Sequence, residues 1–321
     1  MGINNDKPHL WKSDIDSSID YYNRWFMEFA PAVFRDTRVK TTLRVNETLE
    51  LTDNLISLSP AMLLENPWIL PILRMSTCPP LARDRLSGLA GVSRTLISGM
   101  EEKGNPHLPK SVSTKQLYGD MGRIVDIINN LIDPDIFTWF DDQANYGAED
   151  VWRAASVVAD RLCGSDTNPI IRNEQERRQL TLVKGFLEAK GYHPAKPQPG
   201  STFKDLPPGK FSFHLNVPGK LENDTDINIP VDIVVKRKNR NNDEFPLLIE
   251  AKSAGDYANV NKRRKEEANK LANLRRAYGK EVRLNLLLCG YFDPGYLGYV
   301  AAEGCDWVWE HRLSDLEQFG L

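Results

Sequence analysis

The chain has 321 residues, 41% of them hydrophobic and 26% charged, with 41 Lys and Arg against 44 Asp and Glu. That is enough apolar material for a sizeable core and two domains, and the formal charge of −3 excludes a generally basic nucleic-acid coat while leaving room for a local basic surface. Cys78, Cys163, Cys289 and Cys305 are scattered without a Cys-x-x-Cys pair, which argues against a disulfide scaffold and a cysteine-rich zinc site; a reducing cytoplasm is the expected compartment. Met1 to Ser13 carries Asn4, Asn5, Asp6, Lys7 and Pro8 where a signal peptide needs an apolar run. No stretch approaches the roughly 18 apolar residues of a membrane span, so neither export by that route nor membrane embedding is expected.

From Ile15 to Leu162 the apolar residues recur at three- and four-residue spacings, which predicts a helical N-terminal half. Asp14 to Phe29 places Ile15, Ile19, Tyr22, Phe26 and Phe29 along one side, with an interruption expected at Pro31. Ser59-Pro60 reads as an N-cap followed by proline at the first helical position. Between Pro80 and Gly104 two helical patterns flank Gly91, an arrangement that resembles a helix-turn-helix. Gly91 supplies the positive φ of the turn, Val92 and Ile97 pack inward, and Ser93 caps a second helix presenting Arg94, Thr95 and Ser98. A plain helical hairpin fits the same residues. Cys163 to Pro169 (CGSDTNP), rich in breakers, is the expected boundary between a helical domain over 1–165 and a second domain over 166–321.

The pattern then changes. Asn173 to Lys190 reads as a helix with Glu176, Leu180, Val183 and Leu187 on one side and Gly191 as its stop. Strands are predicted over Phe211–Val217, Ile227–Lys236 and Phe245–Lys252, then a charged helix over Tyr257–Tyr278, a strand over Val282–Tyr291, and a last strand over Asp306–His311. This order defines an α/β layer fold with at least one crossover behind an all-α N-terminal domain.

The chemistry-bearing set is Asp232 in PVDIVV with Glu250 and Lys252 at the end of FPLLIEAK. Acid-x-Lys occurs three times, also at Glu101/Lys103 and Glu188/Lys190, but only the third copy ends an apolar strand that follows another strand carrying an acid. Residues two apart on a strand share a face, so Glu250 and Lys252 project together, roughly 7 Å apart at the backbone, while Ile249 and Ala251 point away. If the strands are neighbours, Asp232 joins them. Clustered carboxylates repel; a hard divalent cation such as Mg2+ relieves that, polarises a phosphoryl group and eases deprotonation of water, while Lys252 holds or helps deprotonate the water and offsets charge at phosphorus. An ordinary salt-bridge network on a sheet is the alternative. Against it stand fourteen Lys and Arg with only seven Asp and Glu between Lys236 and Arg283, among them Lys262, Arg263 and Arg264, for which phosphate is the matching partner. His214 and His311 lack a His/Cys cluster around them and read as packed or surface residues, and Tyr291, Tyr296 and Tyr299 as core.

IPVDIVV followed by LLIEAK, on this order of elements, resembles the PD-(D/E)xK nuclease core, with the departure that Val231 separates Pro230 from Asp232. More specifically, YYNRWFMEFAP, LRMSTCPPLARDRLSGLAGVS, IEAKSAGDYANVNKRRKEEANK and LLLCGYFDPGYLGYVAAEGCDWVWEHR together resemble XamI-type restriction endonucleases. The resemblance implies a mixed sheet flanked by helices and a Type II restriction enzyme, a Mg2+-dependent, sequence-specific endonuclease on double-stranded DNA leaving 5′-phosphate ends. It also implies Asp232 and Glu250 as metal ligands, Lys252 as third member, and an acid from the first helix, Glu176 or its competitor Glu174. A palindromic target implies a homodimer, and the family implies a cognate DNA methyltransferase. Arg94, Thr95, Lys262, Arg263 and Arg264 are the expected DNA contacts. A repair or junction nuclease of the same core, and a non-catalytic helix-turn-helix DNA-binding protein, are the competing readings.

Overall fold

A computed structural model describes residues 2–140, 146–196, 198, 200–238, 244–258 and 260–321, with the backbone alone for 260–264. The chain divides into two compact units, Met1–Phe29 with Ile171–Leu321 and Ala30–Ile170.

The Ala30–Ile170 unit is helical. It holds the second half of α1 (Pro8–Leu51), α2 (Pro60–Glu65), α3 (Leu70–Met75), α4 (Arg83–Ala90), α5 (Arg94–Met100), α6 (Thr114–Leu131) and the first half of α7 (Ala148–Ala189). Leu63, Leu86, Leu96, Ile97, Ile124, Ile128 and Trp139 share its core. Ser59 caps α2 as expected, its Oγ accepting from the Met62 N–H. Gly91 takes φ +62° between α4 and α5, and Ser93 Oγ accepts from the Leu96 N–H at 3.1 Å, so the turn has the geometry its residues suggest.

Two expected interruptions are helical instead. Pro31 lies inside α1, and Cys163–Pro169, the breaker-rich segment expected as the domain boundary, lies inside α7. A proline removes one backbone donor, costing about 3 kcal/mol in a helix interior, and packing on both sides outweighs it. Ala30 and Thr37 are buried around the first site; Cys163 and Thr167 are buried before the second, where Thr167 Oγ1 donates back to the Cys163 carbonyl at 2.7 Å. Thr167, one of the polar residues that suggested a loop, bonds to the helix rather than ending it.

The other unit is built on a six-stranded mixed sheet in sequential order: β1 (His193–Pro194), β2 (Lys210–Lys220), β3 (Asp226–Val235), β4 (Leu247–Ala254), β5 (Leu284–Gly290) and β6 (Asp306–Trp309). β3 runs antiparallel to both of its neighbours, β2 and β4; β4, β5 and β6 are parallel, joined by α8 (Val260–Tyr278) and α9 (Pro294–Ala302). Alternation sorts the side chains. Leu248, Leu286, Leu288, Trp307 and Trp309 pack with Leu271 and Leu274 of α8, Tyr296 and Leu297 of α9, and Ile15 of α1. Leu247, Ile249, Leu287 and Val308 pack with Leu180, Val183 and Leu187 of α7. Helices therefore cover both faces, and among the described residues no helix is long and apolar enough to cross a membrane.

Candidate active site

The site forms where β3 and β4 part. Their ladder consists of Val235↔Leu247, Val234↔Leu248 and Ile233↔Ile249, and one step further the backbones no longer pair. There the Asp232 carboxylate takes over as acceptor, Oδ2 receiving the Ala251 N–H at 2.9 Å. Ala251 packs toward the α7 face, as the period of two requires, and Glu250 and Lys252 project from the other side of β4. Lys252 Nζ lies 3.0 Å from Glu250 Oε2.

A second lysine completes the cluster. Lys270 of α8 places Nζ 3.0 Å from both carboxylate oxygens of Glu250 and 3.0 Å from the Pro230 carbonyl oxygen. Glu250 is 1% exposed, and burying a carboxylate to this depth requires such partners. Burial, then the neighbouring Glu250 charge, raises the Asp232 pKa above the ordinary carboxylate value, against the lowering effects of Lys252, the Ala251 N–H and Lys270. Burial alone would lower the Lys252 pKa, but Glu250, Glu267 and Asp232 together raise it, so Lys252 is an ammonium at neutral pH. As an ammonium it donates to the Glu250 carboxylate.

Of the two first-helix acids left open by the sequence, Glu174 is engaged by Arg177 on the surface of α7, its Oε2 2.6 Å from Arg177 Nε. Glu176 instead comes to Asp232: ligand atoms of Glu176, His214 and Asp232 all lie within 4.8 Å of one another, and His214 Nε2 is 3.7 Å from Glu176 Oε1. His214, read from sequence as packed or surface, sits on β2 between the pairs Phe213↔Ile233 and Leu215↔Val231, which sets it across from Asp232. Glu176 and His214 are exposed, so this side of the cluster is open to solvent.

Behind the site, buried Gln179 of α7 donates from Nε2 to the carbonyls of Lys252 (3.4 Å) and Leu287 (3.3 Å), tying the ends of β4 and β5 to the helix. Next to it Arg178 pairs with Glu310, Nε to Oε1 at 2.9 Å, and its guanidinium lies 4.4 Å from the Trp25 ring centre. Tyr296 is core, as expected, and its hydroxyl donates to Glu267 at 2.6 Å.

Arg94 and Thr95 are exposed at the start of α5, with Arg94 Nε 3.4 Å from Asp84 Oδ1. Lys262, Arg263 and Arg264 fall on the first turns of α8, and their side chains lie outside the described residues.

The sequence missed Lys270 and set His214 aside. Lys270 carried a usable signal: Glu267, Lys270, Leu271 and Leu274 recur at helical spacing, so a lysine and a glutamate occupy the buried stripe of an otherwise polar helix. His214 carried none, because its neighbourhood is made by strand pairing.

An exposed carboxylate, a half-buried second, a buried third and two ammonium groups form a set of hard oxygen donors and fixed positive charge, suited to a hard cation beside a phosphate. The profile of the XamI restriction endonuclease family matches residues 53–309. The chain is also 46% identical over 318 residues to the Type II restriction enzyme SalI of Streptomyces albus G, an alignment covering 99% of each chain. No solved structure matches it. The chain belongs to the XamI restriction endonuclease family, enzymes that cleave DNA at specific sequences.

Proposed function

We propose that this restriction endonuclease hydrolyses phosphodiester bonds of double-stranded DNA at a PD-(D/E)xK-type centre formed by Asp232, Glu250 and Lys252, with Glu176 as the additional acid from the first helix. The observation carrying this reading is the meeting of Asp232, Glu250 and Lys252 where β3 and β4 separate, beside the solvent-open Glu176.

The donor set fits Mg2+, which favours one or two carboxylates and keeps its remaining positions for water and phosphate oxygens. Asp232 and Glu250 would hold it, with Glu176 facing the same space. Bound there, it supplies Lewis-acid polarisation of the phosphoryl oxygen and a more acidic water. Lys252, held as an ammonium by its acidic neighbours, orients that water and stabilises charge growing on the phosphorus oxygens. Asp232 keeps β4 in place through the Ala251 N–H while its other oxygen remains for the cation. The products are a 5′-phosphate and a 3′-hydroxyl.

Arg94 and Thr95 on α5, and Lys262, Arg263 and Arg264 on α8, would contact DNA; exposure of the α5 pair and the basic surplus around α8 support this. A palindromic target would be met by a two-fold homodimer in the cytoplasm, with a cognate methyltransferase protecting host DNA. The test is a plasmid digest with Mg2+ or with chelator, followed by end analysis. The proposal requires discrete fragments only with the metal, ending in phosphates that block 5′ labelling until phosphatase removes them; metal-independent cleavage or 5′-hydroxyl ends would reject it.

A further inference from the structure

Lys270 is a polar residue in the buried stripe of α8, and its ammonium turns inward to the strands. Its three acceptors, Glu250 Oε1, Glu250 Oε2 and the Pro230 carbonyl, each at 3.0 Å, match the three N–H donors of one lysine. Lys252 adds a second ammonium on Oε2 at 3.0 Å. A carboxylate 1% exposed thus carries two cations, one of them bridging both oxygens as a divalent ion does on a bidentate carboxylate. Asp232, by contrast, spends Oδ2 on the Ala251 N–H and turns toward Glu176 and His214.

We infer, resting on the reading that Glu250 is a metal ligand, that Lys270 is a positioning residue which competes with the divalent cation for Glu250. In the metal-free protein it keeps the buried carboxylate aimed between β3 and α8. A cation binding Glu250 must share an oxygen with Lys270 or displace it, and in either case sits beside its charge, so Lys270 holds the metal affinity of the free protein low. Glu250 is in this way preset without metal, and the centre assembles without two carboxylates collapsing apart by repulsion.

The test uses the full-length chain without DNA and reads Mn2+ binding from the resonance signal of free Mn2+, for the wild type, Lys270→Met and Lys270→Arg, each with and without Glu250→Gln. Removing the competing charge in Lys270→Met tightens Mn2+ binding by about tenfold or more, as loss of a like charge next to a partly desolvated ion predicts. Lys270→Arg, which keeps the charge, stays near wild type. Unchanged or weaker Mn2+ binding in a folded Lys270→Met overturns the inference, since a packing role lowers the melting temperature without tightening metal binding. If Lys270→Met does not fold, Lys270→Gln, which retains a donor for the Pro230 carbonyl, carries the same comparison. Mn2+ binding indifferent to Glu250→Gln in every background overturns instead the assignment of Glu250 as a ligand, a failure distinct from that of Lys270.

Discussion

The Ala251 N–H donates to the Asp232 carboxylate at the step where the β3–β4 ladder ends, so one side chain both closes the sheet and faces the site. Asp232→Asn retains an acceptor for that N–H, whereas Asp232→Ala leaves it without one, a loss of about 1–3 kcal/mol where the group is buried. Thermal melts should place Asn near wild type and Ala clearly below it, while both variants lose cleavage. A fully active Asp232→Asn would remove the carboxylate from the reaction.

Gln179 holds the carbonyl of Lys252 and that of Leu287 from behind the site. Gln179→Leu fills similar volume without the two bonds. Single-turnover cleavage should fall by about tenfold or more, the sensitivity expected of a misplaced reacting group, with DNA binding in a gel shift retained. A rate equal to wild type would show that β4 needs no support from α7.

Arg178 and Glu310 are a buried pair, with side-chain exposures of 15% and 0%. Removing one partner strands the other charge, so Arg178→Met should destabilise by about 3–5 kcal/mol, and Arg178→Met with Glu310→Leu together by much less. Urea unfolding of the two variants measures this, with additive losses as the contrary result.

Burial pushes the Cys305 thiol from 9.0 up to about 12. The folded thiol then keeps its proton in a range where the unfolded one loses it. This stability is fully present below pH 9 and is lost as pH rises to about 12. The raised Lys252 pKa acts in the same sense above its ordinary 10.5. Melting temperature should therefore decline with pH across this alkaline window, with a shallower decline in Cys305→Ala.

What was legible in the sequence was whatever periodicity fixes locally. The strands over Leu247–Ala254 and Leu284–Gly290, the facing of Glu250 and Lys252, and the Ser93 cap after Gly91 all follow from alternation, helical spacing or cap chemistry. The misjudged segments were those where tertiary packing overrides local preference: Pro31 and Cys163–Pro169 look like breaks, and buried Ala30, Cys163 and Thr167 hold the helices through them. Asp232, Glu250 and Lys252 were readable because two strands adjacent in sequence are adjacent in the sheet. Lys270 and His214 reach the same place from α8 and β2, and no single-strand pattern announces that convergence.

The most direct test of the centre is single-turnover cleavage of a site-bearing duplex with Mg2+ by Glu250→Gln and Lys252→Met, alongside binding of the same duplex. Both variants should bind DNA near the wild-type level and cut at least about a thousandfold more slowly, the scale lost when a charge-stabilising group is removed from a reaction centre. Wild-type cleavage by either variant would contradict the account.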